Sequence, residues 1–319
     1  MTAQSSSIPV LIGPTAAGKS SAAIQIAGRL SEAGHRCELV NLDSMLVYRG
    51  MDIGTAKPTL AEREQVRHHL IDIVDIDWPA SVAEFQQWAR AAIEDCQQRG
   101  VIPLLVGGSA LYTRAVVDEF SFPGTDPELR ARLEAELAAV GSPVMHERLA
   151  GIDPEAAAEI LPGNGRRIVR ALEVIELTGK PFRASLPQHR YALPGVVEFG
   201  LDAPRDWLDD RIEQRVEQMW ADGFVAEVRA LAERGLASTR TASKALGYRQ
   251  VLQFLAGEYD ETEAQRRTVT ATRRFARKQY GWYRRDDRIT WLDPRTPDLS
   301  GTIAANISQG RGVKGSVEH

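Results

Sequence analysis

The stretch VLIGPTAAGKSSAA, Val10–Ala23, decides the fold. Its centre, Gly13-Pro14-Thr15-Ala16-Ala17-Gly18-Lys19-Ser20, fits GxxxxGK[ST] at every fixed position. A short apolar run, Ile8–Ile12, leads into it, and an alanine- and isoleucine-rich run with helical spacing follows from Lys19 to Leu30, with Gly34 just beyond. A strand before and a helix after is the context this pattern requires. Glycines let the backbone wrap closely, so that several N–H groups point at one anion, and the positive end of the helix dipole adds to the attraction. Lys19 supplies a full charge, and Ser20 supplies a hydroxyl for a magnesium ion bridging phosphates. Gly13 to Ser20 are therefore expected to bind a polyphosphate, with Ser20 as the metal ligand. The loop does not say which polyphosphate.

Working outward, ELVNL (38–42) reads as a second strand ending at Asp43, HLIDIVDI (69–76) as another, and VIPLLV (101–106) as a buried strand running into Gly107-Gly108. Ser81 with Glu84 is a capping-box pattern opening a helix to about Arg99. Strands alternating with helices predict an α/β protein: a P-loop NTPase-like parallel sheet flanked by helices on both faces. The character changes near Phe120. Asp126 is a plausible N-cap with Pro127 at the first helical position, and helices are expected over 127–140, 143–150, 154–161 and 165–178, the last stopped by Gly179. This reads as a helical insertion domain. VVEFGLD (196–202) returns the chain to the sheet, followed by helices over 204–256, a long helix from Glu261 to about Arg285, and a final strand in RITWLD (288–293). The expected organisation is a P-loop core over 1–119, the insertion over 120–195, completion of the core with C-terminal helices over 196–307, and a mobile tail over 308–319, with MTAQSSS a second tail.

Composition narrows the class. Of 319 residues 43% are hydrophobic and 26% charged, enough for a sizeable core in a soluble enzyme of about two domains. The net charge of −4 means that nucleic-acid binding must rest on local patches. Cys37 and Cys96 form no CxxC pair, which argues against a disulfide framework or a zinc site and fits a reducing cytoplasm. Ile8–Ile12 breaks at Gly13-Pro14, too short for a secretion signal, and no apolar run reaches membrane-spanning length. No coiled-coil heptad is visible, and a monomer is expected.

A kinase or hydrolase use of the loop normally adds an apolar strand ending in an acid that holds magnesium through water. IPLLV ends in Gly107-Gly108 instead, and the other acid available is Asp43. Asp43 therefore has two readings: a metal-shell carboxylate, or a base at the mouth of the phosphate site.

At NLDSMLVYRGMDIGTAKPT (41–59) the chain stops looking generic. Together with GPTAAGKS it resembles the bacterial tRNA dimethylallyltransferases, which carry a DSxxxYxxxDIGTAKP segment after the P-loop. HHLIDI (68–73), LLVGGSALY (104–112), RRIVRALEV (166–174), RIEQRVEQM (211–219), ALGYRQV (245–251) and RKQYGWYRR (277–285) follow in that family's order. The resemblance runs from Ile8 to about Asp293. It implies transfer of a dimethylallyl group from dimethylallyl diphosphate to the exocyclic amine of the adenosine just 3′ of the anticodon, with no ATP hydrolysis, the loop gripping the diphosphate.

The resemblance also implies residue roles. Asp43 is the base, Arg215 the catalytic arginine, and Ser109 stands where the family commonly has threonine, its hydroxyl kept. The tRNA anticodon stem-loop is expected to meet Asp43, Ser44, Met45, Leu46 and Ser109; Arg130; Arg166, Arg167, Ile168, Val169 and Arg170; and Gly247, Tyr248 and Arg249. Arg67 stands where the family would have proline. His68 and His69 are neighbours on a strand, pointing to opposite faces, and read better as packed or hydrogen-bonded histidines than as metal ligands. Arg211 lies four residues before Arg215 on one helix face; a surface pair with Glu213 or Glu217 is its plainer reading.

Between Arg266 and Arg288 stand nine Arg or Lys against two Asp, interleaved with Phe275, Tyr280, Trp282 and Tyr283, a mixture suited to stacking on unpaired bases. Two rivals remain on residues alone: a P-loop small-molecule kinase using ATP, and an RNA-binding module that has lost catalysis. The first leaves the basic cluster without a task, and the intact Lys19-Ser20 pair speaks against the second.

Overall fold

Ile8–Ile12 forms β1, every residue of it buried, because a central strand of a parallel sheet is covered on both faces. The protein is described here by a computed structural model over residues 7–120, 122–182 and 190–309. The expected tails fall almost wholly on 1–6 and 310–319, outside the described residues. Two compact units emerge, one of residues 118–192 and one of the remainder of the chain.

In the larger unit, β1 pairs with β4 (Ile102–Gly107) on one side and β5 (Val196–Leu201) on the other. β2 (Cys37–Asn41) and β3 (His68–His69) extend the sheet beyond β4, and β6 (Ile289–Leu292) extends it beyond β5. The order is β3-β2-β4-β1-β5-β6, every pair parallel. α1 (Lys19–Glu32) buries Ala22, Ala23, Ile26, Ala27 and Leu30, the helical spacing legible in the sequence, and packs against α13 (Leu299–Ser308). α3 (Val82–Gln98) opens with the Ser81–Glu84 capping box, and it packs on α4 (Ala110–Val117). The helices expected over 204–256 are α9 (Arg205–Ala221), α10 (Phe224–Glu233) and α11 (Tyr248–Leu255), and the long helix is α12 (Glu261–Tyr283).

One strand is corrected. HLIDIVDI was expected to be extended over 69–76, but only His68 and His69 pair with β2. Leu70 and Asp72 then take left-handed backbone conformations. The turn is secured by Lys57, a buried ammonium that reaches the Asp72 carboxylate at 2.5 Å, Asp52 at 2.6 Å and the Tyr48 carbonyl at 2.8 Å. An intervening helix escaped the sequence reading: α2 (Leu60–Gln65), six residues held by a Thr59–Glu62 capping box.

The smaller unit is helical: α5 (Pro127–Val140), α6 (Ser142–Ile152), α7 (Pro154–Glu159) and α8 (Gly165–Thr178). Asp126 caps α5 through the N–H groups of Glu128 and Leu129. The unit has its own apolar core, with Leu133, Met145, Leu149, Ile168 and Ala171 fully buried.

Candidate active site

The carboxyl ends of β1, β2 and β4 lie side by side, and the loops leaving them line one cavity of about 490 Å³. That is where open parallel sheets bind ligands, because helix N-termini and loops converge there. Gly13 leaves β1 where an added Cβ would press against Leu201 at 3.1 Å, and Gly18 takes a left-handed conformation to start α1. No side chain caps α1, and no acid stands in its first turn. Its leading N–H groups and dipole thus face the cavity uncompensated, which suits an anion.

Four cations, Lys19, Arg215, Lys244 and Arg249, and one carboxylate, Asp43, line this space. The Lys19 ammonium donates to the Pro14 carbonyl at 2.7 Å. Burial pushes Lys19 down to about 7, the Arg215 guanidinium beside it adds to the effect, and Asp43 opposes it. Burial likewise lowers Arg215, whose Nη2 lies 3.5 Å from the Thr55 carbonyl. Asp43 is held at the end of β2 by Asn41, which accepts the Asp43 N–H at 2.7 Å and donates to its carbonyl at 2.8 Å. One Asp43 carboxylate oxygen accepts the Met45 N–H at 2.9 Å. Four positive groups against one negative leave the cavity short of an anion.

Ser20, Ser44, Met45, Leu46, Ser109, Gly247 and Arg249 line the same cavity as Thr15, Lys19, Asp43 and Arg215. Of the remaining loop residues, Pro14, Ala16 and Ala17 are buried behind it. Val216 and Met219 of α9 and Ala271 and Phe275 of α12 add apolar side chains to the lining of the same cavity. Arg211 makes neither expected surface pair. Its Nε donates to the Ala16 carbonyl at 2.9 Å and its guanidinium lies over the Trp207 ring, so it braces the phosphate loop from outside.

Tyr248 is corrected as a direct contact. Its ring is fully buried edge-on to Phe224, and its hydroxyl donates to Glu227 at 2.5 Å. Glu227 also accepts the backbone N–H groups of Asp52, Ile53 and Gly54 at 3.0, 2.7 and 3.3 Å. This carboxylate, which the sequence reading passed over, ties the DIGT loop to the Gly247–Arg249 segment.

In the helical unit, Ile168 and Val169 are corrected in the same way: both belong to its apolar core. Arg130 and Arg170 are both engaged by the buried Glu173, and Arg170 also donates to the carbonyls of Pro123 and Gly124. Arg166 and Arg167 are exposed, and their guanidinium groups make no ion pair among the described residues.

The basic cluster of α12 divides by face. Arg266 and Arg267 pair with Glu263, Arg273 and Arg277 with acids of α9, and Arg284 with Asp202. Arg274, Lys278 and Arg285 make no ion pair among the described residues, and at helical spacing they share a face with exposed Phe275 and Trp282. The opposite stripe is buried and reads Ala264, Thr268, Thr272, Ala276, Gln279, Tyr283. A glutamine on a buried stripe within so basic a helix was the available sign that Gln279 has a task.

The histidines do not form a pair. His68 Nδ1 lies 2.8 Å from the Val66 carbonyl, and His69 Nε2 lies 2.7 Å from Glu38. Glu38, His69 and Cys96 cluster within metal-binding reach. However, Arg99 engages both Glu38 oxygens at 2.7 Å and holds that carboxyl down at about 2, while burial pushes the Cys96 thiol up to about 11. An internally neutralised cluster with a protonated thiol has little to offer a cation.

The fold and cavity define a class: an α/β protein with a glycine loop of phosphate-binding pattern beside a carboxylate and an apolar lining. Comparison with known proteins narrows it. The family model "IPP transferase" matches residues 46–286. A tRNA dimethylallyltransferase of Cutibacterium acnes is 58% identical over 297 residues, 93% of each chain, and one of Salinispora arenicola is 61% identical over 90% of this chain and 82% of its own. The crystal structure of the full-length tRNA isopentenylpyrophosphate transferase of Bacillus halodurans superposes with a TM-score of 0.68 at 37% identity, covering 96% of this chain and 98% of that one. A eukaryotic dimethylallyltransferase acting on tRNA superposes with a TM-score of 0.82 at 25% identity, covering 98% and 82%. The chain belongs to the IPP transferase family.

Proposed function

We propose that the protein transfers the dimethylallyl group of dimethylallyl diphosphate to N6 of the adenosine immediately 3′ of the tRNA anticodon, releasing diphosphate. The observation that carries this reading is the single cavity in which an uncompensated phosphate loop, Asp43, Arg215 and an apolar lining meet. A kinase needs the first of these but has no use for an apolar lining beside the phosphate loop.

The chemistry follows from the placement. Adenine N6 is a weak nucleophile, its lone pair shared with the ring. As N6 bonds to the allylic carbon, the carbon–oxygen bond to diphosphate breaks, its electron pair leaves with the diphosphate, and the N6 proton passes to Asp43. The charge gathering on diphosphate falls against Lys19, Arg215 and the start of α1. The hydroxyl of Ser20 on the cavity wall is a hard oxygen donor that suits magnesium, which would be held there and would add positive charge beside the diphosphate. Val216, Met219, Ala271 and Phe275 take the five-carbon group and exclude water from its cationic carbon. The target base leaves its stack to reach the cavity. Arg166 and Arg167 in one unit, and Arg274, Lys278, Trp282 and Arg285 in the other, serve the anticodon stem-loop. The reading extends to a monomer acting in the cytoplasm.

The test is direct. Purified protein, dimethylallyl diphosphate, magnesium and unmodified tRNA are incubated, and the nucleosides are analysed by mass. One C5H8 unit on a single adenosine is expected. ATP-dependent phosphorylation without prenylation would overturn the assignment.

A further inference from the structure

Ala16 is the one residue of the phosphate loop that stands in the left-handed region without being glycine, at φ 63°. An L side chain enters that region against its own preference, so its surroundings must hold it there. The Ala16 carbonyl accepts a hydrogen bond from Arg211 Nε at 2.9 Å. Arg211 comes from α9, 195 residues away in sequence; it is exposed and stands off the cavity lining. Its guanidinium lies over the Trp207 ring, 4.6 Å from the centroid, which restrains the side chain's course along α9.

A trans peptide unit points its carbonyl and its N–H to opposite sides. With the Ala16 carbonyl turned outward to Arg211, the Ala17 N–H is turned inward, where it meets the Pro14 carbonyl at 3.3 Å. That carbonyl also accepts the Lys19 ammonium at 2.7 Å. The Pro14–Thr15 unit is fixed from its other end, because the Thr15 N–H is given to Gln279 Oε1 at 3.0 Å. The backbone from Pro14 to Ala17 is thus tied on both sides before an anion arrives. A loop already ordered need not be ordered by its ligand, and affinity gains accordingly. Arg215, one turn farther along α9, lines the cavity and acts on Lys19. One helix therefore sets both the curl of the loop and the place of the arginine beside Lys19.

We propose that Arg211 is a positioning residue of the diphosphate site: by holding the Ala16 carbonyl on the outer side of the loop, it keeps Ala16 left-handed and the Ala17 N–H turned inward. This rests on the function proposed above, to which it adds what sets the grip on the leaving group. The charge of Arg211 is a separate matter. It reaches Arg215, whose charged form it disfavours, and a cation near the cavity would attract an anion with or without a bond to Ala16.

The two effects separate by substitution. Glutamine places its Nε2 the same number of bonds from the backbone as arginine places Nε, so Arg211→Gln keeps a donor for the Ala16 carbonyl and loses the charge. Methionine places a methyl group there, so Arg211→Met loses both. Inorganic pyrophosphate with magnesium is titrated calorimetrically into the full-length wild type and both variants at one ionic strength. Arg211→Met is expected to bind pyrophosphate about tenfold more weakly, and Arg211→Gln to stay within about threefold of the wild type. In steady-state prenyl transfer, Arg211→Met is expected to raise KM for dimethylallyl diphosphate by a similar factor and to leave kcat within about twofold. An unchanged pyrophosphate affinity in Arg211→Met, or Arg211→Gln as weak as Arg211→Met, overturns the proposal; so does a fall in kcat at unchanged KM, the sign of lost active protein. If the methionine variant fails to fold, Arg211→Ala is read in its place with the same outcomes. Pyrophosphate carries neither a prenyl group nor a base. Failure of prenyl transfer with the affinities in the expected order would therefore sink the functional reading and leave the role of Arg211 standing.

Discussion

Arg215 and Lys19 are like charges lining one cavity, and the guanidinium helps to hold the ammonium down at about 7. The sign of the consequence is fixed. A bound diphosphate favours the charged lysine, so the complex holds more protons than the free protein at every pH between about 7 and the raised pKa of the complex. Diphosphate affinity is therefore level below pH 7 and falls as pH rises above it, by up to about tenfold per pH unit. Calorimetry at pH 8 in buffers of different ionisation enthalpy is expected to show uptake of close to one proton. Uptake near zero would mean that Lys19 is already charged in the free protein.

Asp43→Asn removes the proton acceptor while keeping the shape that Asn41 and Met45 hold in place. Turnover is expected to fall by about 10²–10⁴ while tRNA affinity persists. Single-turnover prenylation alongside a filter-binding titration separates the two, and an unimpaired rate would remove Asp43 as the base.

The two faces of α12 are expected to behave differently. Lys278→Ala should weaken tRNA binding and lower the magnitude of the salt slope by about 1, the loss of one phosphate contact. Trp282→Ala should cost about 1–3 kcal/mol if its exposed ring stacks on a base. Arg273→Ala, on the paired face, should leave the slope unchanged, because Glu213 already engages that charge at 2.6 Å. Titrations at several salt concentrations test all three.

Glu227→Ala deprives three consecutive backbone N–H groups and the Tyr248 hydroxyl of their acceptor. The loop that carries Thr55 to Arg215 then loses its anchor, and kcat/KM is expected to fall about tenfold, the worth of one such loss at 1–3 kcal/mol. Glu227→Gln, whose amide oxygen still accepts, should restore most of it. Equal loss in both variants would show that the charge, not the acceptor, is needed.

For stability, the buried pair of Arg114 with Glu198 is decisive. Both side chains are shielded from solvent, and Asp286 joins them at 3.2 Å. Glu198→Ala is expected to destabilise the protein by about 3–5 kcal/mol, read as a lowered urea midpoint, because a guanidinium is left buried short of a partner.

The strand–loop–helix at Val10–Ala23 and the insertion helices were legible because their signals are local: glycine placement, N-caps and helical spacing. HLIDIVDI misled because its hydrophobicity suits a strand, and it is Lys57 and Arg63, both from before the segment, that hold Asp72 in the turn. Arg130, Arg170, Ile168 and Val169 read alike as a basic segment. Their separation into paired and buried positions required Glu173 and the unit's core to be in place.

The order of residues alone determined that a phosphate loop stands between a strand and a helix, that a carboxylate follows the next strand, and that cations crowd the last long helix. Periodicity and glycine placement act over a few residues and need nothing distant. Tertiary structure decided what those groups meet: that Gln279 accepts the Thr15 N–H from 264 residues away, that Arg211 braces the loop, and which cations of α12 are already neutralised. Such pairings depend on which side chains the packed sheet and helices bring within a few ångströms, and hydrogen bonds and ion pairs act only at that range.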